Sequence, residues 1–353
     1  MAESTGANRR ARSVTMSDVA AAAGVSLGTV SNALNHPERV TDELRTRVQR
    51  AIDSLGFVRN SAARSLAAGS SNTVGFVLVD LANSLFVDMA RGAEVAAQAA
   101  GMYLVMANSD VSAAKQRTYL EHFNQEQVAG ILATLVGGEL DGLEGARRAG
   151  RPVVVLDTNT AIGDTCRVET DYELSGYLAA QHLLSLGRRR LAFAGGPVRM
   201  PAIGDRLRGA QRAVREAGAV LEHLDSAEIQ ADNGREIGER LRARDRADLP
   251  DGVVAAADLV ALGLMQALVD VDIAFPDDIA LIACDDNKSA YDSLIPISTI
   301  DLPGYQMGRS AMELLLEEIR SPETHTHRRV IIEPKLTARE STVGRTRSAP
   351  AFA

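Results

Sequence analysis

Residues 14–35 read VTMSDVAAAAGVSLGTVSNALN, two short helical patterns joined by a tight turn at Gly24. Thr15 and Asp18 have the spacing of a capping box, which predicts the start of the first helix. Gly24 tolerates the positive φ angle with which a helix often ends. Ser26 is placed to cap the second helix. The stretch therefore predicts a helix-turn-helix.

The outer face of the second helix carries small and polar side chains, which let a helix approach the edges of DNA bases closely. These residues are Leu27, Gly28, Thr29, Ser31 and Asn32. The spacing alone also fits a helical hairpin whose outer face is merely solvated. A third helix favours DNA binding, because Thr41 can cap it and Gly56 can end it. Its predicted buried stripe is Leu44, Val48, Ile52 and Leu55.

Charge is divided unevenly along the 353 residues, of which 46% are hydrophobic. Residues 1–70 contain 9 Arg and no Lys against 6 acidic residues, a net charge of +3. Because the whole chain has a net charge of −8, the remaining residues carry −11. A basic head suits contact with phosphates, while the acidic body favours solubility. Because +3 is modest, we expect DNA affinity to depend on dimerisation. The length predicts two or three structural units.

From Val74 onward, strand-like runs alternate with helical segments, which indicates parallel sheets covered by helices. The runs are VGFVLVD, MYLVMANS, GILATLV, PVVVLDT, RLAFAGG, GVVAAAD and IALIACDD. The pattern alone does not decide between one large sheet and two lobes.

Carboxylates end four of these runs, and ligands of doubly wound sheets bind beyond the carboxyl ends of strands. They are Asp80, Asp157, Asp258 and the pair Asp285-Asp286. Together with Arg206 they predict a site for a sugar or another polyol. Alternatively, each Asp caps the helix that follows it, and Asp258 fits the role of a pure cap best.

The sequence predicts no metal site, no catalytic site and no membrane attachment. Cys166 and Cys284 lie beside apolar runs without metal-ligand spacing, which is typical of buried thiols in a reducing compartment. His325 and His327 form a His-x-His pair beside a charged loop, a pattern typical of a solvated surface. We find no phosphate-binding glycine loop and no nucleophile elbow, so neither an enzyme nor a cofactor or metal site is predicted. Without a signal peptide or an apolar run of ~20 residues, the chain is expected to be cytoplasmic and not bound to a membrane.

The run from Val14 to Leu66 resembles the DNA-binding head of the lactose-repressor (LacI/GalR-type) family. The motifs that carry the resemblance are DVAAAAGVSLGTVSNALN, VTDELRTRVQRAIDSLGF and RNSAARSLAAG. It continues through VGFVLVD, GRRRLAFAGGP, VALGLMQAL, IALIACDD and EPKLTARES, and so covers nearly the whole chain. The resemblance implies an all-α helix-turn-helix head followed by an α/β periplasmic-binding-protein-like core of two doubly wound lobes, with a ligand cleft between them.

The resemblance also implies the domain boundaries. These are a disordered tail at 1–13, the helix-turn-helix domain at 14–58, a hinge helix or linker at 59–71, a two-lobed effector-binding and dimerisation core at 72–342 and a flexible tail at 343–353. The N-lobe would contain about 72–168 and 300–328, and the C-lobe about 169–299 and 329–342.

Residue by residue, the resemblance assigns contacts to DNA and to an effector. Besides the outer face of the second helix, the DNA contacts would be Ser17, Ser26, Asn35, Asn60, Ala63 and Leu66. Leu66 would be a hinge wedge in the minor groove. The effector contacts would be Leu85, Phe86, Asp157, Arg206, Asp258 and Asp285. Ala257 and Leu302 are apolar where the family is often polar, so a smaller sugar, a less hydroxylated metabolite or no small ligand all remain open.

The implied function is a dimeric repressor that reads a near-palindromic, double-stranded operator and is released when a small ligand, a sugar or a related metabolite, closes the lobes. Control by a corepressor or by a protein partner would use the same parts. A sugar-binding module would lack the segment from Val14 to Leu66, and a sugar-metabolising enzyme would need catalytic groups that we do not find. The C-terminal tail has no leucine heptad, so a homodimer is predicted rather than a tetramer.

Overall fold

The computed structural model describes residues 14–58, 71–138, 140, 142–157, 163–271, 273–285, 287 and 292–344. The chain divides into two units, Met1–Ser70 and Ser71–Ala353, which we call the head and the core. The predicted hinge contacts Asn60, Ala63 and Leu66 lie outside the described residues, as do both predicted tails apart from residues 343 and 344.

The head contains the three predicted helices. They are α1 (Met16–Ala23), α2 (Leu27–Asn35) and α3 (Asp42–Leu55), with a 3₁₀ turn at Pro37–Arg39. The capping box is present, because the Thr15 backbone N–H donates to Asp18 Oδ2 at 2.8 Å and the Asp18 backbone N–H donates to Thr15 Oγ1 at 3.3 Å. Gly24 has a φ angle of 62° and ends α1. The local sequence signals therefore fix where these helices begin and end.

A small apolar core joins the three helices. Its buried members are Val19, Ala20, Ala23, Val30, Val48 and Ala51. The predicted stripe of α3 is wrong at Leu55, which is 36% exposed, while Ala51 is buried instead. At 14 residues, α3 runs past the core that the shorter α1 and α2 can cover.

The core unit contains two six-stranded sheets, which confirms the two-lobed fold. The first sheet is wholly parallel and has the order β11-β5-β4-β3-β1-β2. Its strands are β1 (Thr73–Leu78), β2 (Tyr103–Asn108), β3 (Gly130–Thr134), β4 (Val153–Leu156), β5 (Cys166–Thr170) and β11 (Arg329–Ile332). Its helices are α4 (Ser84–Ala99), α5 (Ala113–Gln125), α6 (Leu143–Arg148) and α11 (Gly304–Arg320). Along β1, Phe76 packs with α4 and α11, whereas Val77 packs with α5 and α6, as the alternation of a strand between two helical layers requires.

The second sheet has the order β12-β10-β9-β8-β6-β7 and is parallel except for β12. Its strands are β6 (Arg190–Ala194), β7 (Val220–Leu224), β8 (Gly252–Ala255), β9 (Ala280–Asp285), β10 (Ser298–Asp301) and β12 (Lys335–Thr337). Its helices are α7 (Tyr172–Ser185), α8 (Pro201–Glu216), α9 (Ala231–Arg242), α10 (Asp258–Val269) and the short α12 (Glu340–Val343). Phe193 of β6 packs with α7 and α8, and Ala194 packs with α9 and α10.

The lobe boundaries differ from the prediction. The chain passes from one sheet to the other at residues 170–172, 301–304 and 332–335, not at 169, 300 and 329. Strand β11 therefore belongs to the N-lobe rather than the C-lobe. The error arises because β5 and β11 are short and carry charged residues, so that neither resembles a buried parallel strand.

Candidate functional site

The site at the carboxyl ends of the two sheets begins with Asp157, which follows β4 of the N-lobe. Its backbone has a φ angle of 59°, a left-handed conformation that is unusual for a residue other than glycine. Tyr172, the first residue of α7, donates its hydroxyl hydrogen to Asp157 Oδ1. Burial raises the pKa of Asp157 to about 6, although Tyr172 and the charge of Arg206 act in the opposite direction.

Arg206 of α8 lies at the centre of the site and is 3% exposed. Its Nη2 donates to Asp285 Oδ1, and its Nη1 donates to the carbonyl oxygen of Ala256 at 2.6 Å. The guanidinium carbon lies 4.8 Å from the centre of the Tyr172 ring, within the range of a cation–π contact. Burial opposes its charge, but the neighbouring Asp285 outweighs burial and raises the pKa of Arg206. The guanidinium therefore stays charged inside the protein.

Two glycines bring Arg206 to this position. Helices α7 and α8 pack so closely that a Cβ at Gly176 would clash with the carbonyl group of Arg206. A Cβ at Gly209 would clash with the carbonyl oxygen of Glu173 in the same way. This close approach carries the side chain of Arg206 beneath the ring of Tyr172.

Asp285 is the last residue of β9 and completes the site from the C-lobe. It is 7% exposed and has a φ angle of 114°, a second conformation that favours glycine. Strained backbone at two carboxylates that face each other across the lobes is typical of a functional site. The structure thus brings Asp157, Arg206 and Asp285 together as predicted, and Tyr172 joins them.

Of the remaining predicted carboxylates, Asp258 and Asp80 bond to groups of the protein itself, and Asp286 lies outside the described residues. Asp258 is 1% exposed and accepts hydrogen bonds from Thr299 Oγ1 at 3.0 Å and from the backbone N–H of Asn287. The interpretation of Asp258 as a pure helix cap is wrong, because α10 has Ala257 as its N-cap without a side-chain bond. Asp80 accepts a bond from the backbone N–H of Ala82 at 2.9 Å, which closes a local turn.

Leu85 and Phe86 are the residues predicted to form one wall of the ligand site, and that role stays a prediction. Both lie in the first turn of α4, and both are buried in one apolar cluster with Tyr172 and Leu302. Ala257 is also buried, at 3% exposed, so the two apolar departures from the family pattern pack inside the protein. Tyr172 was not identified from the sequence. This residue lies two positions after the end of β5, so recognition of β5 as a strand would have placed Tyr172 at the carboxyl edge of the sheet.

In the head, the predicted DNA-contacting residues surround one exposed face of α2. Leu27 is 51% exposed, Ser17, Ser26, Gly28 and Asn35 are also exposed or half-buried, and Thr29, Ser31 and Asn32 complete the set. Ser26 caps α2 as predicted, since its Oγ accepts a bond from the Thr29 backbone N–H at 3.0 Å. Asn35 Nδ2 donates to Ser31 Oγ at 3.3 Å. Contact of these residues with DNA stays a prediction.

Arg47 of α3 has a structural role that the sequence did not suggest. Its Nη2 donates to the carbonyl oxygen of Ala23 at 2.6 Å and to that of Gly24 at 3.3 Å. These carbonyls lie at the end of α1, where a positive charge is favourable. Arg47 therefore fixes the turn between α1 and α2.

The prediction of a solvated His-x-His pair is wrong for His325. The side chain of His325 is 1% exposed, and its Nε2 lies 3.1 Å from Cys166 Sγ, whereas His327 is exposed. The pairing of β11 with β5 causes this arrangement, because it places the segment before β11 beside the first residue of β5.

Known protein families and individual known proteins are similar to this chain over most of its length. Residues 15–60 match the profile of bacterial regulatory proteins of the lacI family, and residues 180–342 match the periplasmic binding protein-like domain. The chain is 34% identical over 306 residues to the ribose operon repressor of Bacillus subtilis (strain 168), which covers 87% of this chain and 92% of that protein. It is 27% identical over 330 residues to the HTH-type transcriptional repressor PurR of Photobacterium profundum, covering 93% and 98%.

A solved structure supports the same similarity. The LacI-family transcriptional regulator from Silicibacter pomeroyi superimposes with a TM-score of 0.80 at 25% identity, covering 94% of this chain and 100% of that one. Among the described residues, no helix combines the length and the apolar character needed to cross a membrane.

Proposed function

The chain belongs to the lacI family of bacterial regulatory proteins and is a DNA-binding transcriptional regulator, and on this premise we propose that a sugar bound between its lobes controls its affinity for an operator. The observation that carries the proposal is Arg206 Nε, which is buried and has no hydrogen-bond partner among the described residues. A buried donor without a partner is costly unless a ligand satisfies it.

The chemistry around Arg206 suits a pentose such as ribose. Asp157 and Asp285 offer carboxylate oxygens to vicinal hydroxyls, and Arg206 offers a donor to a ring or hydroxyl oxygen. On the other side, Phe86 and Tyr172 offer apolar ring surface to the carbon face of the sugar. The ribose operon repressor is a relative at 34% identity, which favours a pentose over a larger sugar.

The contacts of Tyr172 connect effector binding to the positions of the two lobes. Tyr172 bonds to Asp157 of the N-lobe while its ring lies over Arg206 of the C-lobe. A ligand whose hydroxyls bond to Asp157 and Arg206 competes with these contacts and changes the angle between the lobes. In a homodimer this change alters the spacing of the two heads, and operator affinity falls. The sugar acts as an inducer in this mechanism.

We also infer that each head presents α2 to the major groove of a half-site, with Ser17 and Ser26 near phosphates. The regulator works in the cytoplasm, where its DNA is, and has no catalytic activity of its own. The two units then divide the work, since the basic head binds DNA and the acidic core binds the ligand.

A thermal-shift screen of the full chain tests the ligand. D-ribose, its pentose epimers, hexoses and purine bases are added singly, and a ligand present at 100 times its Kd stabilises the fold by ~2.7 kcal/mol. We expect ribose or an epimer to raise the melting temperature and to weaken binding to an operator obtained by selection from randomised DNA. Stabilisation by a purine base with tighter DNA binding would instead indicate a corepressor.

Two matched variants locate the site. Asp285→Asn should abolish the shift caused by the sugar, whereas Asp80→Asn, which changes a strand-end carboxylate with only a local turn bond, should preserve it. An unchanged response in Asp285→Asn would place the ligand elsewhere.

A further inference from the structure

A cluster of one thiol and two imidazoles lies in the N-lobe at the amino end of β5, the opposite end of the sheet from the effector site. It contains Cys166, His325 and His327, whose potential ligand atoms all lie within 4.8 Å of one another. From this geometry we propose that the N-lobe binds a single Zn²⁺-like transition-metal ion through these three residues, with Glu318 as the fourth ligand.

The distances from the Cys166 sulfur to a nitrogen of each histidine suit a tetrahedral ion. Zn–S bonds of ~2.3 Å and Zn–N bonds of ~2.0–2.1 Å at tetrahedral angles place the sulfur and nitrogen about 3.6 Å apart. Cys166 Sγ lies 3.1 Å from His325 Nε2 and 3.8 Å from His327 Nδ1, values on either side of this separation. Small side-chain rotations equalise them.

Glu318 supplies an independent observation. Its Oε2 is buried and has no hydrogen-bond partner among the described residues, yet it lies 3.9 Å from His325 Nε2. A tetrahedral site requires oxygen and nitrogen ligands about 3.4 Å apart, so a movement of about half an ångström brings this oxygen into position. A bound cation would satisfy a carboxylate oxygen that is otherwise buried at a cost.

The surroundings orient the ligands. His325 Nδ1 is buried without a hydrogen bond and lies 3.3 Å from Glu317 Oε1, so a small movement would let this carboxylate hold the imidazole with Nε2 toward the metal. Glu317 is itself held by Arg328 Nη1 at 3.0 Å. Burial raises the pKa of the Cys166 thiol, and the Arg328 backbone N–H, which donates to Sγ at 3.4 Å, acts in the opposite direction.

The ion also has a path of entry and a consequence for the fold. His327 lines an open pocket of about 240 Å³ together with Thr165 and Arg167. Glu318 lies on α11, the two histidines precede β11, and Cys166 opens β5. A bound ion therefore connects three separate segments of the N-lobe. Plain thiol–imidazole hydrogen bonds explain the positions of Cys166, His325 and His327, but not the buried Glu318 Oε2 without a hydrogen-bond partner.

Cobalt binding tests the site in the full chain, prepared without a histidine tag and stripped with a chelator. Co²⁺ gives a near-ultraviolet charge-transfer band only when a thiolate is a ligand. The Cys284→Ala background leaves Cys166 as the one thiol of the chain. We expect one Co²⁺ per chain with this band and with tetrahedral visible bands, and displacement of both by Zn²⁺.

Variants distinguish binding of the metal ion at this cluster from binding to other side chains of the surface. His327→Gln changes an exposed side chain, so it should fold normally and weaken Zn²⁺ binding by at least about 10–100-fold, the loss that even an outer-shell residue causes. His122→Gln, an exposed histidine of α5, should bind Zn²⁺ as the unaltered chain does. Cys166→Ser should lose the charge-transfer band. If Co²⁺ produces no thiolate band, or if His327→Gln binds Zn²⁺ with unchanged affinity, the proposal is overturned.

Discussion

Arg206 and Asp285 form an ion pair that is almost completely removed from solvent, with side chains 3% and 7% exposed. The pair joins α8 to the end of β9 and lies beneath the aromatic ring of Tyr172. Because a buried charge depends on its partner, the effector site and the stability of the core are coupled through one interaction.

Asp285→Asn should therefore destabilise the core as well as remove a ligand contact. Arg206 would remain buried without its counter-charge, and breaking a buried pair from one side costs about 3–5 kcal/mol. Urea unfolding of the full chain measures this loss. The double variant Arg206→Met/Asp285→Asn should recover most of it, since no unpaired charge remains.

The control for this pair is Arg212→Met on the same helix. Arg212 pairs with Glu173, but their side chains are 41% and 40% exposed, so we expect a loss below about 1 kcal/mol. Equal losses in Arg212→Met and Asp285→Asn would contradict the special role of the buried pair.

Asp157 should make the stability of the core depend on pH. Its pKa is raised from 3.8 to about 6 in the folded protein, so the folded state favours the neutral acid. The stabilisation from this group is fully present below about pH 4 and is lost as the pH rises through about 6. The difference in unfolding free energy between the unaltered chain and Asp157→Asn should change by roughly 1–3 kcal/mol between pH 4 and pH 7. A constant difference would show that Asp157 titrates normally.

Much of the fold could be predicted because its signals are local. The capping box at Thr15 and Asp18 and the glycine at 24 depend on neighbouring residues, and the apolar runs of β1 and β9 mark buried parallel strands by composition. Strand β11 lies at the edge of its sheet and is partly solvated, whereas β5 beside it is buried but carries Glu169, which pairs with Arg329 of β11. Neither sequence therefore shows the apolar pattern.

The site was only partly predictable for a related reason. Asp157 follows a recognisable strand and Asp285 ends another, but Tyr172 follows β5, which was not recognised. The proximity of His325 to Cys166 depends on the pairing of β11 with β5 across 159 residues of sequence. A contact between residues so far apart in sequence cannot be predicted from a local sequence pattern.

Asn32→Ala should relax the choice of base at one position of each half-site. Asn pairs best with adenine through two hydrogen bonds, and losing such a pair reduces discrimination by ~1–3 kcal/mol. Selection from a randomised operator measures the change. Gln49→Ala, on the exposed face of α3 and bonded to Asp53 at 2.8 Å, should leave the selected sequence unchanged. The assignment of Asn32 to a base edge fails if both variants select the same operator as the unaltered chain.

Tyr172→Phe should separate the two roles of this side chain at the effector site. The variant keeps the ring over Arg206 but removes the hydroxyl that bonds to Asp157, so Asp157 becomes available to a ligand without competition. One hydrogen bond of about 1 kcal/mol corresponds to about fivefold tighter effector binding, measured by calorimetry. Tyr177→Phe, which removes an exposed hydroxyl bonded to Glu216 at 2.8 Å on the same helix, should bind the effector normally. Weaker binding in Tyr172→Phe alone would mean that the hydroxyl contacts the ligand directly instead of competing with it.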